Sequence, residues 1–210
     1  MTFSIFLSFV LYSFVTSITP GPNNLMLATS GVNFGFKRSI PHILGIGFGF
    51  GFMVAVVGLG IGSIISSNVL IYESLKIIGI CYLLFLAYKI YSSSSVQSTS
   101  ISKKPLTFIQ AALFQWVNPK AWVMALGAVT TYLAANSEFY WYIILGIIYG
   151  IVGIPSTGVW AFIGEKLQTV LGQPRRLHLF NTIMALLLVG SVLKPIIDSV
   201  EFFKILIFNP

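Results

Sequence analysis

FYWYIILGIIYGIVGIPSTGVWAFIG, residues 139–164, contains no charged side chain and is longer than the ~20 residues a helix needs to cross a bilayer. Glu138 precedes it and Glu165 and Lys166 follow it, so the apolar run is bounded at both ends. Five more predominantly apolar stretches accompany it, at residues 3–29, 40–65, 70–91, 106–133 and 177 to about 197. Of the 210 residues 56% are hydrophobic and 8% charged, against roughly 25% charged in an ordinary soluble domain. A water-exposed surface cannot be built from that inventory. The expected fold is an all-α integral membrane protein of six transmembrane helices, with gaps too short for a soluble domain.

The run at residues 3–29 lacks a basic leader and a small-residue cleavage site with a polar domain behind it, so it is expected to be retained as the first span. Between Ser92 and Ser102 lies a Ser-rich stretch, followed by Lys103 and Lys104. It reads as a flexible linker (residues 92–105) between two halves of three spans, residues 1–91 and 106–210, within one transmembrane domain. Basic residues set the orientation, because cytoplasmic loops are enriched in Lys and Arg. Lys37, Arg38, Lys89, Lys103, Lys104, Lys166, Arg175 and Arg176 share one side. Lys76, Lys194 and Lys204, with Glu73 and Glu138, fall on the other. Both termini are therefore expected outside and the linker in the cytoplasm. An odd number of spans per half makes the second half enter from the opposite side, the condition for an inverted repeat. The apolar tail, residues 202–208, is too short to span and reads as an extension or an interfacial segment.

The net charge of +7 does not point to nucleic acid, because the basic residues form no stripe with interleaved aromatics. Cys81 is the single cysteine, which rules out an intramolecular disulfide and a thiolate metal cluster. His42 and His178 lie at the cytoplasmic ends of spans two and six without a partner at metal spacing, so no metal site is expected. The glycines of span two, Gly45, Gly47, Gly49 and Gly51, then Gly58, Gly60 and Gly62, lack the preceding strand that a dinucleotide fingerprint needs. Gly47/Gly51 and Gly58/Gly62, like Gly146/Gly150 in span five, have the spacing of close helix packing, which would serve a homodimer as readily as the monomer.

Span one is interrupted by Thr19-Pro20-Gly21-Pro22-Asn23-Asn24. An interior proline costs a helix ~3 kcal/mol, so a break is expected there. At ~1.5 Å per residue from Phe3, Pro20 would lie ~25 Å from the outer face. Span four carries Gln115-Trp116-Val117-Asn118-Pro119-Lys120, with Asn118 ~15 Å from the cytoplasmic face. Paired interruptions in corresponding spans point to a transporter's substrate site, where half-helix N-termini offer free N–H groups to an anion such as a carboxylate. Lys120 is the one formal charge central in a span, and its insertion costs at least ~2.5 kcal/mol. Two readings stand: it faces a cavity and helps hold a substrate carboxylate, or it snorkels to an interface or bonds broken-helix carbonyls. Asn181 in span six, Pro155 and Trp160 in span five, and Gln115 are further polar or helix-bending groups; each taken alone is more often a packing residue than a ligand contact. No Asp or Glu lies near mid-membrane, which leaves the driving force of any transport open.

With these motifs in this order the sequence resembles the lysine exporter family of amino-acid translocators, which includes homoserine/threonine exporters and a cysteine and O-acetylserine exporter. The resemblance rests on Thr19-Pro20-Gly21-Pro22-Asn23-Asn24, Gly35-Phe36-Lys37-Arg38, Asn118-Pro119-Lys120, and Asn181 ahead of Ala185-Leu186-Leu187-Leu188, and it covers nearly the whole chain. Pro-Gly-Pro-Asn-Asn and Asn181 look closest to the cysteine and O-acetylserine branch, whereas Asn-Pro-Lys is commoner in the wider family. The resemblance implies a bacterial inner-membrane exporter of small amino acids or their derivatives, without an organic cofactor and without enzyme activity. Alternating access around the two broken helices is the expected mechanism. The candidate substrate-binding residues are Pro20, Gly21, Pro22, Asn23, Asn24, Gln115, Asn118, Pro119, Lys120 and Asn181. A membrane enzyme would need clustered acid, base or metal groups that two separated histidines do not supply. A channel or structural subunit would leave the paired helix breaks without a purpose.

Overall fold

The computed structural model describes residues 2–61, 68–92, 104–134 and 137–208, and among these it is helical with no strand. The helices are α1 (Phe3–Ile18), α2 (Pro22–Phe34), α3 (Phe36–Val56) with a wide π-type turn at Val57–Ile61, α4 (Val69–Ser92), α5 (Phe108–Val117), α6 (Pro119–Tyr132), α7 (Phe139–Leu167) and α8 (Pro174–Phe208). Four of them, α3, α4, α7 and α8, are long and apolar enough to cross a membrane. The pair α1 and α2, bent by 58° at its break, makes a fifth candidate. The remaining expected span, residues 106–133, is divided at Asn118 into α5 and α6, each too short to cross alone.

Each interruption begins its second half-helix with proline, Pro22 in α2 and Pro119 in α6. At that first position the missing N–H would have had no intrahelical acceptor, so proline ends one segment and starts the next without loss. Thr107 and Gln110 form a reciprocal capping box that starts α5. Helix bounds exceed the expected spans at several ends. α2 runs to Phe34 and α3 starts at Phe36, separated only by Gly35 at φ 83°, so Lys37 and Arg38 lie on a helical turn. α8 continues through residues 202–208, making the apolar tail an extension of the last helix. Charged residues end an apolar run in sequence but need not end a helix whose tip reaches water. Most of the expected linker, residues 93–103, and the expected end of span two, including Gly62, lie outside the described residues.

The centre of the bundle is the antiparallel crossing of α3 and α7. Gly47 and Gly51 face Gly150 and Gly146 reciprocally, and a Cβ on any of Gly47, Gly51 or Gly146 would meet a neighbour too closely to fit. Gly45 and Gly49, on another side of α3, admit Phe108, Ala111 and Ala112 of α5. Packing is thus the role of these glycines, and Gly58 rests on the Tyr142 ring. Phe9, Phe50, Met53, Trp122, Leu145 and Tyr149 form one core cluster; Leu25, Leu83, Leu86, Phe114 and Leu188 form a second. Leu113, Val123, Ile151 and Leu186 point outward, each more than 60% exposed, as suits a lipid-facing surface.

The basic ends of the helices gather at one end of the bundle. Phe36 N–H donates to Glu165 Oε1 at 3.0 Å, Gln168 Nε2 donates to the carbonyls of Gly31 and Val32, and the Tyr91 and His178 rings lie 5.6 Å apart. Near the opposite end Glu73 is buried and ties α4 to α8: it accepts from Lys76 Nζ at 2.6 Å and from Ser199 Oγ at 2.9 Å. Glu73→Ala removes both contacts and leaves the partly buried Lys76 ammonium without this partner. The expected loss is about 3 kcal/mol of stability, read as a lowered melting temperature in detergent, with Glu73→Gln intermediate.

Candidate functional site

The break between α1 and α2 is held by side chains that replace missing backbone donors. Pro20 and Pro22 lack the N–H groups that the carbonyls of Thr16 and Ile18 would take in a continuous helix. Thr16 O instead accepts from Thr19 Oγ1 at 2.9 Å, and Ile18 O from the Trp160 indole at 3.0 Å. Asn24 Nδ2 serves Ser17 O at 2.8 Å and Thr19 O at 2.7 Å. Lys120 Nζ completes the set, donating to Thr19 O at 2.9 Å, Thr19 Oγ1 at 3.0 Å and Pro20 O at 3.2 Å. The ammonium has three N–H groups and three acceptors here, and it sits at the negative end of the α1 dipole.

The second break follows the same logic. Pro119 lacks the N–H that Gln115 O would take, and Asn118 N–H reaches that carbonyl at 3.3 Å. Asn118 Oδ1 caps α6 by accepting from Lys120 N–H at 3.2 Å, and Trp116 O, deprived of that donor, accepts from the Trp122 indole at 2.8 Å. Asn23 and Gln115 exchange two amide hydrogen bonds, at 2.9 and 3.3 Å, and join α2 to α5.

The two breaks meet around one small cavity of about 30 Å³, lined by Gly21, Asn23, Asn24, Gln115, Asn118 and Lys120. Pro20 contributes its carbonyl to the Lys120 cluster, and Pro22 and Pro119 shape the backbone. Asn181 stands apart from this cavity and pairs with Asn33 of α2 at 3.2 Å. α2 extends thirteen residues past the break and α1 sixteen before it, so the break lies near the middle of the pair. Counting along the sequence sets Pro20 deeper because it ends the span at residue 29. In this conformation Lys120 both lines the cavity and bonds the broken-helix carbonyls.

Sequence reasoning missed Thr16, Ser17, Tyr149 and Thr157, which also line the cavity. Thr16 and Ser17 carried a weak signal as hydroxyls one turn before the break. Tyr149 carried none, because its hydroxyl meets Thr16 Oγ1 only through the packing of α7 on α1. One polar atom of the cavity is unsatisfied: Asn24 Oδ1 is buried and has no hydrogen-bond partner among the described residues.

Residues 14–198 match the model of the LysE type translocator family. The chain belongs to that family. It is a family of translocators, and the helices of this chain fit a multi-pass membrane protein. The chain is similar to the cysteine/O-acetylserine efflux protein of Salmonella paratyphi A (strain ATCC 9150 / SARB42), 30% identical over 195 residues, covering 92% of this chain and 98% of that protein. It is similar to the proteins of the same name in Escherichia coli (strain K12) and Shigella sonnei (strain Ss046), at 28% identity over the same shares. No solved structure matches the chain significantly.

Proposed function

We propose that this protein exports small neutral amino acids or their derivatives, of the cysteine and O-acetylserine or homoserine and threonine kind, across the bacterial inner membrane by alternating access. In this reading α5 and α6 together form a sixth span, the halves 1–91 and 106–210 are inverted repeats, and both termini face outward. The reciprocal glycine crossing of α3 and α7, the corresponding helices of the two halves, supports the repeat. The gathered basic residues support the orientation.

The observation that carries the reading is the Lys120 ammonium seated on the Thr19 and Pro20 carbonyls where the two broken helices meet. A zwitterionic amino acid offers one charge to each partner of that contact. Its ammonium replaces Lys120 on the carbonyls and finds the unsatisfied Asn24 Oδ1. Its carboxylate takes the released Lys120 and the half-helix N-termini of α2 and α6. A volume of about 30 Å³ holds a water rather than an amino acid, so the exchange requires the breaks to part.

The test is counterflow in proteoliposomes loaded with labelled cysteine, O-acetylserine, threonine, homoserine or lysine. Saturable exchange of at least one is expected, and failure to move any of them would sink the assignment. Asn23→Ala, which removes the amide pair with Gln115, should insert normally and lower flux about tenfold, from the ~1–1.5 kcal/mol of a paired hydrogen bond.

A further inference from the structure

A second cavity, of about 210 Å³, opens between α2, α4 and the start of α5 at the basic end of the bundle. Its size contrasts with the closed centre: it exceeds the ~150 Å³ that admits a benzene-sized ligand, while the central cavity does not approach that volume. Its polar lining includes Thr29, Asn33, His42 and Gln110, with Lys89 and Lys104, and none of its lining residues is acidic. Phe85 and Leu86 supply an apolar wall.

His42 is the residue that the central site leaves unexplained. It is 1% exposed, borders this cavity, and neither ring nitrogen has a hydrogen-bond partner among the described residues. A buried imidazole with both nitrogens unpaired is costly, and in native structures such groups are normally satisfied by protein, water or ligand. Both nitrogens are closed off from the adjoining void in this conformation, so the ring must turn toward it to meet a partner there.

We propose that this vestibule is a loading site that binds the substrate amino acid before it reaches the broken helices, with His42 and the two lysines receiving its polar end. The proposal rests on the export reading above. The carboxylate matches a lining with cationic and N–H donors and no carboxylate, and a short side chain fits against Phe85 and Leu86. The route inward is short. From Thr29 to Asn23 along α2 is ~9 Å, and from Gln110 to Gln115 along α5 is ~7.5 Å. The Asn23–Gln115 amide pair joins α2 to α5 at the inner end of that path.

Full-length protein carrying Cys81→Ser and Gln110→Cys, reconstituted in nanodiscs, tests the site without relying on flux. A water-soluble methanethiosulfonate should label Cys at position 110, and O-acetylserine, which has no thiol to consume the reagent, should slow labelling at least threefold. Adding His42→Phe should raise the O-acetylserine concentration needed for half-protection about tenfold, whereas His42→Gln, which keeps a donor and an acceptor, should stay within threefold. Absence of protection, or half-protection unchanged by His42→Phe, overturns the loading site. Wild-type counterflow without protection overturns it while leaving export standing. Protection without counterflow of any amino acid overturns export and retains the vestibule as an O-acetylserine site.

Discussion

Lys120→Met is expected to insert and fold yet to lose ten- to a hundredfold of amino-acid flux, measured as counterflow normalised to incorporated protein. Methionine keeps the length of the side chain and removes the ammonium, so three contacts to Thr19 and Pro20 disappear together. A hydrogen bond to a charged group contributes ~1.5–3 kcal/mol, and each 1.4 kcal/mol is a factor of ten. Thr19 O keeps its bond from Asn24, so the break retains one clamp and the fold survives. Pro20 O loses its donor, which adds flexibility where the two halves of span one join. Lys120→Arg should rescue little, because a planar guanidinium cannot place three donors on the tetrahedral set that an ammonium reaches. Wild-type flux in Lys120→Met together with Asn23→Ala would remove the central cavity from the transport route.

Gly51→Val is expected to destabilise the bundle strongly. The added side chain would run into the Gly146 carbonyl and the backbone of Gly150, and neither is a flexible group that can turn aside. Overpacking of this kind costs about 1–3 kcal/mol in a soluble core and more where two backbones must separate. The expected result is a lowered melting temperature and loss of monodispersity on size exclusion in detergent. Gly190→Ala is the matched control: α8 has open space at that position, so the helix should gain about 1 kcal/mol from the better helix former. Equal behaviour of the two variants would contradict the α3–α7 crossing as the centre of the bundle.

The apolar helices were legible because hydrophobicity is additive along the chain. Residues 139–164 had to be a lipid-crossing helix whatever their neighbours, and proline at positions 20, 22 and 119 had to interrupt helices because it carries no N–H. Spacing of four between Gly47 and Gly51 likewise announced a close contact, although not its partner. Helix ends were less legible, since Lys37 and Arg38 interrupt an apolar pattern without interrupting a helix.

Composition and motif alone determined a helical membrane protein with two proline-interrupted apolar stretches, and they nominated Asn23, Asn24, Asn118 and Lys120 from sequence positions almost a hundred residues apart. Only the tertiary structure decided what those residues do for one another. It seated Lys120 on the carbonyls of Thr19 and Pro20, brought Trp160 to Ile18, left Asn24 Oδ1 and His42 without partners among the described residues, and set Asn181 outside the central cavity. The reason is physical: a missing N–H is a property of one residue, but the group that replaces it comes from whichever helix packs against the gap, and no local pattern records that neighbour.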